Sequence, residues 1–156
     1  MSEEALKTPL YDVHRELGGK LVPFAGYWLP VQYETGVIAE HNAVRTACGL
    51  FDVSHMGEVR LRGADTLSTL QRLLCNNMDG MQPGQVRYSP MLNENGGVVD
   101  DVLVYKFADD NYLVVVNAAN HDKDVAWMRA HLLGDTRLTD ESDQTAQLAL
   151  QGPKAE

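Results

Sequence analysis

The segment from Val98 to Phe107 is an apolar run interrupted by two adjacent aspartates and by Lys106. It is rich in β-branched residues, and the Asn95-Gly96 pair just before it is typical of a two-residue hairpin turn. Gln85 to Asn93 has the character of the preceding strand, and Tyr112 to Asn117 has that of a following one. Together these segments predict an antiparallel meander.

Other segments have the spacing of helices or of short strands. Apolar residues recur at helical intervals in four places, and capping residues or glycines mark several of the ends. The predicted helices run from Thr8-Pro9 to Gly18-Gly19, from Thr35 to Ala47, from Asp65 through Leu74 and from Asn120 through Leu132. Further strands are predicted over Glu58 to Leu61, Thr136 to Thr139 and Gln147 to Leu150. The segment from Lys20 to Tyr33 is rich in proline and aromatic residues, which favours irregular backbone.

The order of these elements predicts an α+β fold, an antiparallel sheet with helices packed on one face. Residues 57–140 would form this unit. Residues 1–56 contain too little strand to close a domain, so we expect them to belong to a first domain that is completed by residues beyond the chain end. Residues 141–156 are expected to return toward that first domain, which makes the 57–140 unit an insertion.

Asp100 and Asp101 are adjacent residues inside the predicted strand from Val98 to Phe107. Because side chains alternate along a strand, Asp101 shares a face with Leu103 and Tyr105, whereas Asp100 points to the opposite face. Whichever face is buried, one carboxylate is pressed toward it, which costs free energy unless a hydrogen bond or a ligand compensates. The pair is the first candidate for chemistry. From the residues themselves a structural role is an equal alternative, and a stronger one for Asp100.

The chain has 156 residues and a formal net charge of -9. This acidic balance, together with the lack of a lysine- or arginine-rich run, argues against nucleic acid or an anionic membrane as the main partner. No apolar run reaches membrane-spanning length, and the first residues lack the pattern of a signal or transit peptide. We therefore expect a cytoplasmic protein.

The cysteine and histidine spacings indicate neither a metal site nor a disulfide framework. Cys48 and Cys75 fall in predicted helical segments, and we expect both to be small buried apolar residues. His55 has no partner arrangement for nucleophilic catalysis in the sequence, so we expect it to hold backbone groups in place. The other histidines are expected to be surface or capping residues: His14, His41, His121 and His131.

Eight short motifs follow one another along nearly the whole chain. They are Thr8-Pro9-Leu10-Tyr11, Val22-Pro23-Phe24-Ala25-Gly26-Tyr27, Glu40-His41-Asn42-Ala43-Val44-Arg45, Phe51-Asp52-Val53-Ser54-His55-Met56-Gly57, Tyr88-Ser89, Asn95-Gly96-Gly97-Val98-Val99-Asp100-Asp101, Val116-Asn117-Ala118-Ala119-Asn120 and Gln151-Gly152-Pro153. In this order they resemble the folate-dependent aminomethyltransferases, the T protein of the glycine cleavage system. Tyr27 stands where that family usually has tryptophan, with Trp28 beside it, so an aromatic residue is kept.

The resemblance implies a three-domain fold with tetrahydrofolate bound in a central cavity. It also implies a reaction in which the methylene of an aminomethyl group, held on the dihydrolipoyl arm of a carrier protein (the H protein), passes to tetrahydrofolate with release of ammonia. Asp101 takes the catalytic position beside the N5/N10 region of the folate. Four further residues match positions that contact the pterin or the folate: Met56, Tyr88, Tyr105 and Asn117. No metal is implied.

The chemistry of the implied reaction and the family resemblance both point to a carboxylate beside the attacking nitrogen, the position of Asp101. Attack by a folate nitrogen on an aminomethyl carbon develops positive charge near that nitrogen, and a fixed carboxylate both orients the amine and stabilises the charge. Tyr105 lies two residues from Asp101 on the same strand face and is placed to pack against a flat heteroaromatic ring, with an ordinary core tyrosine as the alternative. The 156-residue stretch by itself is expected to bind folate weakly and to have no turnover, because an incomplete cavity cannot bury the ligand.

Two other functional classes share the implied scaffold. One comprises folate-dependent demethylases and the folate domains of sarcosine or dimethylglycine dehydrogenases, although a dinucleotide fingerprint of the flavin fusions is missing here. The other is a non-catalytic folate-binding relative that assists iron–sulfur enzymes. Asp101 and the segment Ser54-His55-Met56-Gly57 favour the aminomethyltransferase over this last class.

Overall fold

The computed structural model describes residues 5–156. This stretch contains ten strands and four α-helices. It also contains two short 3-10 helices, Ala118–Asn120 and Ser142–Gln144. In chain order the elements are β1 (Leu6–Lys7), α1 (Tyr11–Glu16), β2 (Leu21–Phe24), β3 (Tyr27–Pro30), α2 (Gly36–Thr46), β4 (Gly49–Asp52), β5 (Gly57–Arg62), α3 (Thr66–Leu73), β6 (Val86–Leu92), β7 (Val98–Ala108), β8 (Asn111–Val116), α4 (His121–Ala130), β9 (Arg137–Asp140) and β10 (Leu148–Gln151).

The chain divides into two units, and the second, Met56–Thr145, contains a five-stranded sheet. Its strand order is β6-β7-β8-β5-β9, and every neighbouring pair is antiparallel. Helices α3 and α4 contribute to one hydrophobic core with the strands. The predicted α+β class, an antiparallel sheet with helices on one face, is confirmed.

The core of the second unit explains why these segments take these forms. Leu70 and Leu73 are three residues apart on α3 and both are buried, as a helical apolar stripe requires. On the strands, burial alternates with exposure, so that one face of the sheet meets the helices and the other does not. The cluster includes Val59, Leu61, Leu70, Leu73, Met91, Val102, Val104, Tyr112, Val114, Val125 and Met128.

The turn between β6 and β7 differs from the predicted two-residue hairpin. Gly96 has a φ of 78°, but Asn95 keeps a negative φ, so the pair does not form the expected turn with two positive φ values. Instead, the Asn93 backbone N–H donates to Gly97 O at 2.8 Å, and the Asn93 side-chain oxygen accepts the N–H groups of Asn95 and Gly97, each at 2.9 Å. The Asn93 side chain therefore organises a longer loop than the Asn-Gly pair indicated.

The first unit runs to His55 and resumes at Ala146–Glu156. Its two small sheets have the strand orders β1-β3-β2 and β10-β4. The prediction of irregular backbone from Lys20 to Tyr33 is wrong, because β2 and β3 form an antiparallel hairpin there. Ala25 and Gly26, with φ values of 48° and 86°, supply the left-handed backbone of its turn. Pro23 is tolerated because β2 is an edge strand, where a missing N–H breaks no ladder.

The predicted start of the first helix is also wrong. The helix begins at Tyr11, with Leu10 as its N-cap, and the Thr8 hydroxyl donates instead to Asp52 Oδ2 at 2.7 Å. His14, expected at the surface, is buried, with Nε2 2.9 Å from the same Asp52 oxygen and Nδ1 2.6 Å from the Tyr33 hydroxyl. This cluster joins α1 to β4 inside the first unit.

The two cysteines also depart from expectation, since both side chains are exposed. Cys48 lies between α2 and β4, and Cys75 follows the end of α3. Neither residue is therefore the buried apolar group that the sequence predicted.

Truncation of Leu70 tests the core described above. Leu70 is 1% exposed, so Leu70→Ala is expected to lower the free energy of unfolding by about 2–5 kcal/mol through lost burial and the cavity left behind. Val98→Ala, at a strand residue of the same unit that is 66% exposed, is the control and should cost less than about 1 kcal/mol. Urea denaturation of both variants measures the difference, and equal losses would contradict the assigned core.

Candidate functional site

The strand β7 presents its two aspartates to opposite faces of the sheet. Asp100 is buried on the core face with Val102 and Val104, whereas Asp101 is exposed on the other face. We call that other face, over β6, β7 and β8, the outer face. Strand pairing places Tyr88 opposite Leu103, and Leu103 opposite Val115, on this same face. The outer face thus combines apolar and aromatic side chains with one exposed carboxylate, that of Asp101.

Tyr88 is the closest titratable neighbour of Asp101 on the outer face. Its side chain is 53% exposed, and its phenol interacts with the Asp101 carboxylate. Partial burial first, and then the neighbouring charge of Asp101, raise the pKa of the Tyr88 phenol. The Tyr88 phenol therefore keeps its proton at neutral pH, beside the Asp101 carboxylate.

Tyr105 lies opposite Val86 in the pairing of β6 with β7, on the same face as Asp101, and is half-buried. Phe107 continues this face and is 53% exposed, with the Arg60 guanidinium 4.5 Å from the centre of its ring. Exposed aromatic groups side by side are unusual on a protein surface unless something covers them. The strand register therefore offers a flat, apolar platform beside the carboxylate of Asp101.

Asn117 follows β8 and reaches across to β7 with its side-chain amide. The amide nitrogen donates to Asp100 Oδ1 at 3.0 Å and to the Asp101 carbonyl oxygen at 3.1 Å. Met56 precedes β5 and is half-buried. The structure thus brings Asp101 and Asn117 into direct contact in the second unit, with the Tyr88 phenol as an electrostatic neighbour of the Asp101 carboxylate.

Sequence reasoning missed Glu58. This residue lies on β5 opposite Val115 of β8, on the same side of the sheet as the outer face but beyond its β8 border, and it is 1% exposed. Both of its carboxylate oxygens are buried without a hydrogen-bond partner among the described residues. Burial, and then the nearby charge of Asp140, raise the pKa of Glu58 to about 7, against an opposing effect of His121. Its position in a regular polar–apolar alternation gave no sign of this burial.

His55 lies in the first unit, with Phe24 and Tyr27 edge-on to its ring at centroid distances of 5.8 Å and 6.3 Å. Burial lowers the pKa of His55, and the charge of Asp52 only partly opposes this effect. The ring is thus favoured in its neutral form. Its expected role, holding backbone groups in place, stays a prediction, since none of its hydrogen bonds is seen in the described stretch.

Residues 5–156 offer neither a metal cluster nor a membrane-spanning helix. No group of three or more histidine, cysteine or acidic side chains in that stretch could hold a metal ion. Among the same residues, no helix combines the length and apolar character needed to cross a bilayer. The first unit contains a cavity of about 520 Å³ lined largely by apolar residues, but none of the sequence-predicted site residues lines it.

Comparison with known proteins gives concordant results. Residues 10–156 match the family described as the GCVT N-terminal domain. An aminomethyltransferase of Halalkalibacterium halodurans is 54% identical over 153 residues, which is 98% of this chain and 42% of the relative. An aminomethyltransferase of Bacillus subtilis is 53% identical over 150 residues, covering 96% of this chain and 41% of the relative.

A solved structure agrees with these sequence matches. The glycine cleavage system aminomethyltransferase T from Bartonella henselae superposes with a TM-score of 0.90 at 34% identity, covering 97% of this chain and 42% of that one. The chain therefore spans about two fifths of the length of the relatives it matches.

The buried Glu58 carboxyl should make stability depend on pH. Its pKa is raised in the folded state, so its contribution is fully present below the ordinary glutamate pKa and is lost as the pH rises through about 7. Glu58→Gln removes this ionisation, so the free energy of unfolding should fall less than in the parent protein between about pH 5 and pH 8. Denaturant titrations at several pH values measure this, with Glu94→Gln, in the exposed turn, as control. Parallel pH profiles for parent and Glu58→Gln would contradict the burial.

The contact between Tyr88 and Asp101 can be tested by titrating the phenol. Because the carboxylate contributes to the raised pKa of Tyr88, Asp101→Asn should lower that pKa toward the ordinary tyrosine value. Nuclear magnetic resonance of ring-labelled tyrosine measures it, with Tyr88→Phe to assign the signal. Asp110→Asn, at an exposed position, should leave the signal unmoved. An unchanged Tyr88 titration in Asp101→Asn would show that the two groups do not interact.

Proposed function

The chain belongs to the family of the GCVT N-terminal domain, and on this basis we propose that it is the N-terminal part of an aminomethyltransferase of the glycine cleavage system. In this reaction tetrahydrofolate accepts a methylene from the aminomethyl group carried on the dihydrolipoyl arm of a carrier protein, and ammonia is released. Activity, substrates and partners are proposed for the full-length protein, because the matched relatives extend well beyond the region aligned here. The proposed compartment is the cytoplasm.

One observation carries the proposal: a single exposed carboxylate, Asp101, stands on an outer face that is otherwise apolar and aromatic. A reduced pterin is flat and carries amine nitrogens along one edge, so it needs an apolar platform for its ring and a polar group at that edge. Leu103 and Tyr105 supply the apolar platform, and Asp101 supplies the polar group at the edge of the ring. The residues present therefore suit this substrate.

Asp101 acts on the charge that develops during transfer. When the folate nitrogen attacks the aminomethyl carbon, the nitrogen becomes more positive, and a carboxylate fixed beside it lowers the energy of that state. The contact of Asn117 with the Asp101 carbonyl and the neighbouring Tyr88 phenol restrict where the carboxylate can lie. Such restriction matters because a carboxylate that must first reorient loses much of its stabilising effect.

The other predicted contacts have positioning roles in this proposal. Tyr105 packs against the flat ring, and its rigid side chain loses little conformational entropy when it does so. Met56, half-buried just before β5, would offer a polarisable thioether to the ligand. Tyr88 contributes its ring and the interaction of its phenol with the Asp101 carboxylate.

The domain organisation belongs to the same proposal. The first unit, which combines residues up to His55 with Ala146–Glu156, would be completed by residues that follow in the full-length protein. The unit Met56–Thr145 would then be an insertion that presents the folate-facing sheet. The lipoyl carrier protein is the proposed macromolecular partner, and the rest of the folate site would come from the later part of the sequence.

A folate-dependent demethylase is the second candidate, because the same outer face would also suit transfer of a one-carbon unit from another amine. A non-catalytic folate-binding protein is the third. Both retain folate binding, so binding by itself does not separate them from the aminomethyltransferase. Dependence of ammonia release on an aminomethylated lipoyl carrier protein does separate the aminomethyltransferase from both alternatives.

The decisive test is tetrahydrofolate-dependent ammonia release from an aminomethylated lipoyl carrier protein by the full-length enzyme. Asp101→Asn is expected to lower kcat/KM by about 100-fold or more, because it removes the charge that stabilises the attacking nitrogen. Circular dichroism should show an unchanged fold, since Asp101 is exposed. Asp110→Asn, another exposed aspartate of the same unit, is the control and should retain activity.

Other outcomes point to the other candidates. Folate binding without ammonia release in the parent protein would favour a demethylase or a non-catalytic folate protein. Full activity in Asp101→Asn would remove this residue from the mechanism.

A further inference from the structure

Two buried carboxyl groups meet on the core face of β7, directly behind the outer face. Asp100 is 8% exposed on β7, and Asp124, in the first turn of α4, is 0% exposed. The two side chains are hydrogen-bond neighbours. Neither residue is assigned a role by the proposed reaction, yet Asp100 is the chain neighbour of Asp101.

Three of the four carboxyl oxygens in this pair have no donor. Asp100 Oδ2 and both oxygens of Asp124 are buried and unpaired within the part of the chain that the structure describes. Lys123 Nζ is 3.7 Å from Asp124 Oδ1, but it donates to the Val99 carbonyl oxygen at 2.6 Å. Two ionised carboxylates in contact without donors would repel each other strongly, whereas one proton between them makes a hydrogen bond.

The surroundings of the two groups decide where that proton resides. Burial raises the pKa of Asp100, but Asp124, the Asn117 amide, the Asp101 backbone N–H and Asn120 more than offset it, so the pKa is lowered. Burial raises the pKa of Asp124 to about 7, and the neighbouring Asp100 adds to that shift while Lys123 opposes it. Below about pH 7, Asp100 therefore keeps the charge and Asp124 is the neutral acid that donates to it.

Asn117 connects this pair to the candidate site. Its amide nitrogen donates at the same time to Asp100 Oδ1, at 3.0 Å, and to the Asp101 carbonyl oxygen, at 3.1 Å. Fixing the charged Asp100 therefore fixes the Asn117 amide, which in turn holds the main chain of Asp101.

We propose that Asp124 donates a shared proton to Asp100 and that this acid pair is the positioning element that holds Asn117 and Asp101 on the outer face. The shared proton is inferred from the burial of both carboxyl groups, from their oxygens that lack donors and from the Asn117 hydrogen bond that holds Asp100 in place. Its effect on folate rests on the proposed function.

The proposal has a direct consequence for pH dependence. When Asp124 loses its proton, two negative charges face each other between β7 and α4, with Lys123 as the nearby cation and Asn117 and Asn120 as neutral neighbours. The repulsion disrupts the support of Asn117. Folate affinity and stability should therefore both fall as the pH rises through about 7.

The shared proton is tested without any activity assay. Full-length protein labelled at its aspartate carboxyl carbons should show one signal that titrates near pH 7 in nuclear magnetic resonance spectra, and aspartate labelling keeps Glu58 out of the spectrum. Asp124→Asn should abolish this signal, and Asp100→Asn should shift its titration to lower pH by removing the neighbouring charge. Asp122→Asn, at a fully exposed position on the same helix, should leave it in place. The absence of an aspartate that titrates near neutrality would overturn the proposal.

The positioning role is tested by two substitutions at Asp124 in the full-length protein. Asp124→Ala removes the donor and should raise the KM for tetrahydrofolate by about 10-fold or more, because Asp100 loses its partner. Asp124→Asn should restore most of this loss, since a carboxamide N–H donates to Asp100 as the neutral acid does. The Asn variant should also lack the decline in folate affinity with rising pH that the parent shows.

The outcomes separate this proposal from the proposed function. If the parent protein releases no ammonia, the proposed function fails, whereas the aspartate titration still tests the shared proton. If the parent is active and both Asp124 variants keep its folate KM and its pH profile, the positioning role is wrong. If Asp124→Ala does not fold, comparison of the pH profiles of Asp124→Asn and the parent decides the matter.

Discussion

Side-chain alternation along β7 is the constraint on which the candidate site depends. Two neighbouring aspartates on a strand cannot share an environment, so one enters the core while the other faces away from it. Register with β6 and β8 then decides what accompanies each: Asp101 stands among Tyr88, Leu103 and Tyr105, and Asp100 stands against Asn117 and α4. A slip of one residue would exchange the two carboxylates and would bury the aromatic platform.

The sequence predicted those features that depend on local patterns. The meander from β6 to β8 and the helices α2, α3 and α4 follow from strand patterns and apolar spacing, both of which are visible within a dozen residues. The α+β class follows from their order. The outer face was also foreseeable, because the separation of Asp100 from Asp101 needs only the period of a strand.

Features set by distant contacts escaped prediction. His14 is polar and lies on a short helix, and its burial depends on Asp52, which is 38 positions away in the chain. The hairpin formed by β2 and β3 was hidden by Pro23, which is harmless on an edge strand, and by Ala25, which takes a positive φ that few alanines adopt. Asp124 is an acidic residue in the first turn of a helix, a position that such residues favour. The neighbouring sequence does not show that it is buried beside a second carboxyl group.

The burial of Glu58 and Asp124 alters the charge that the composition assigns to the protein. The formal value of -9 counts every acidic group as ionised, but these two carboxyls each have a pKa raised to about 7. At pH 7 each is about half protonated, so together they make the folded chain roughly one unit less negative than the formal count. In the unfolded chain both would be fully ionised. Folding at neutral pH is therefore coupled to the uptake of about one proton from the buffer by these two groups, so the measured heat of folding would depend on which buffer supplies it.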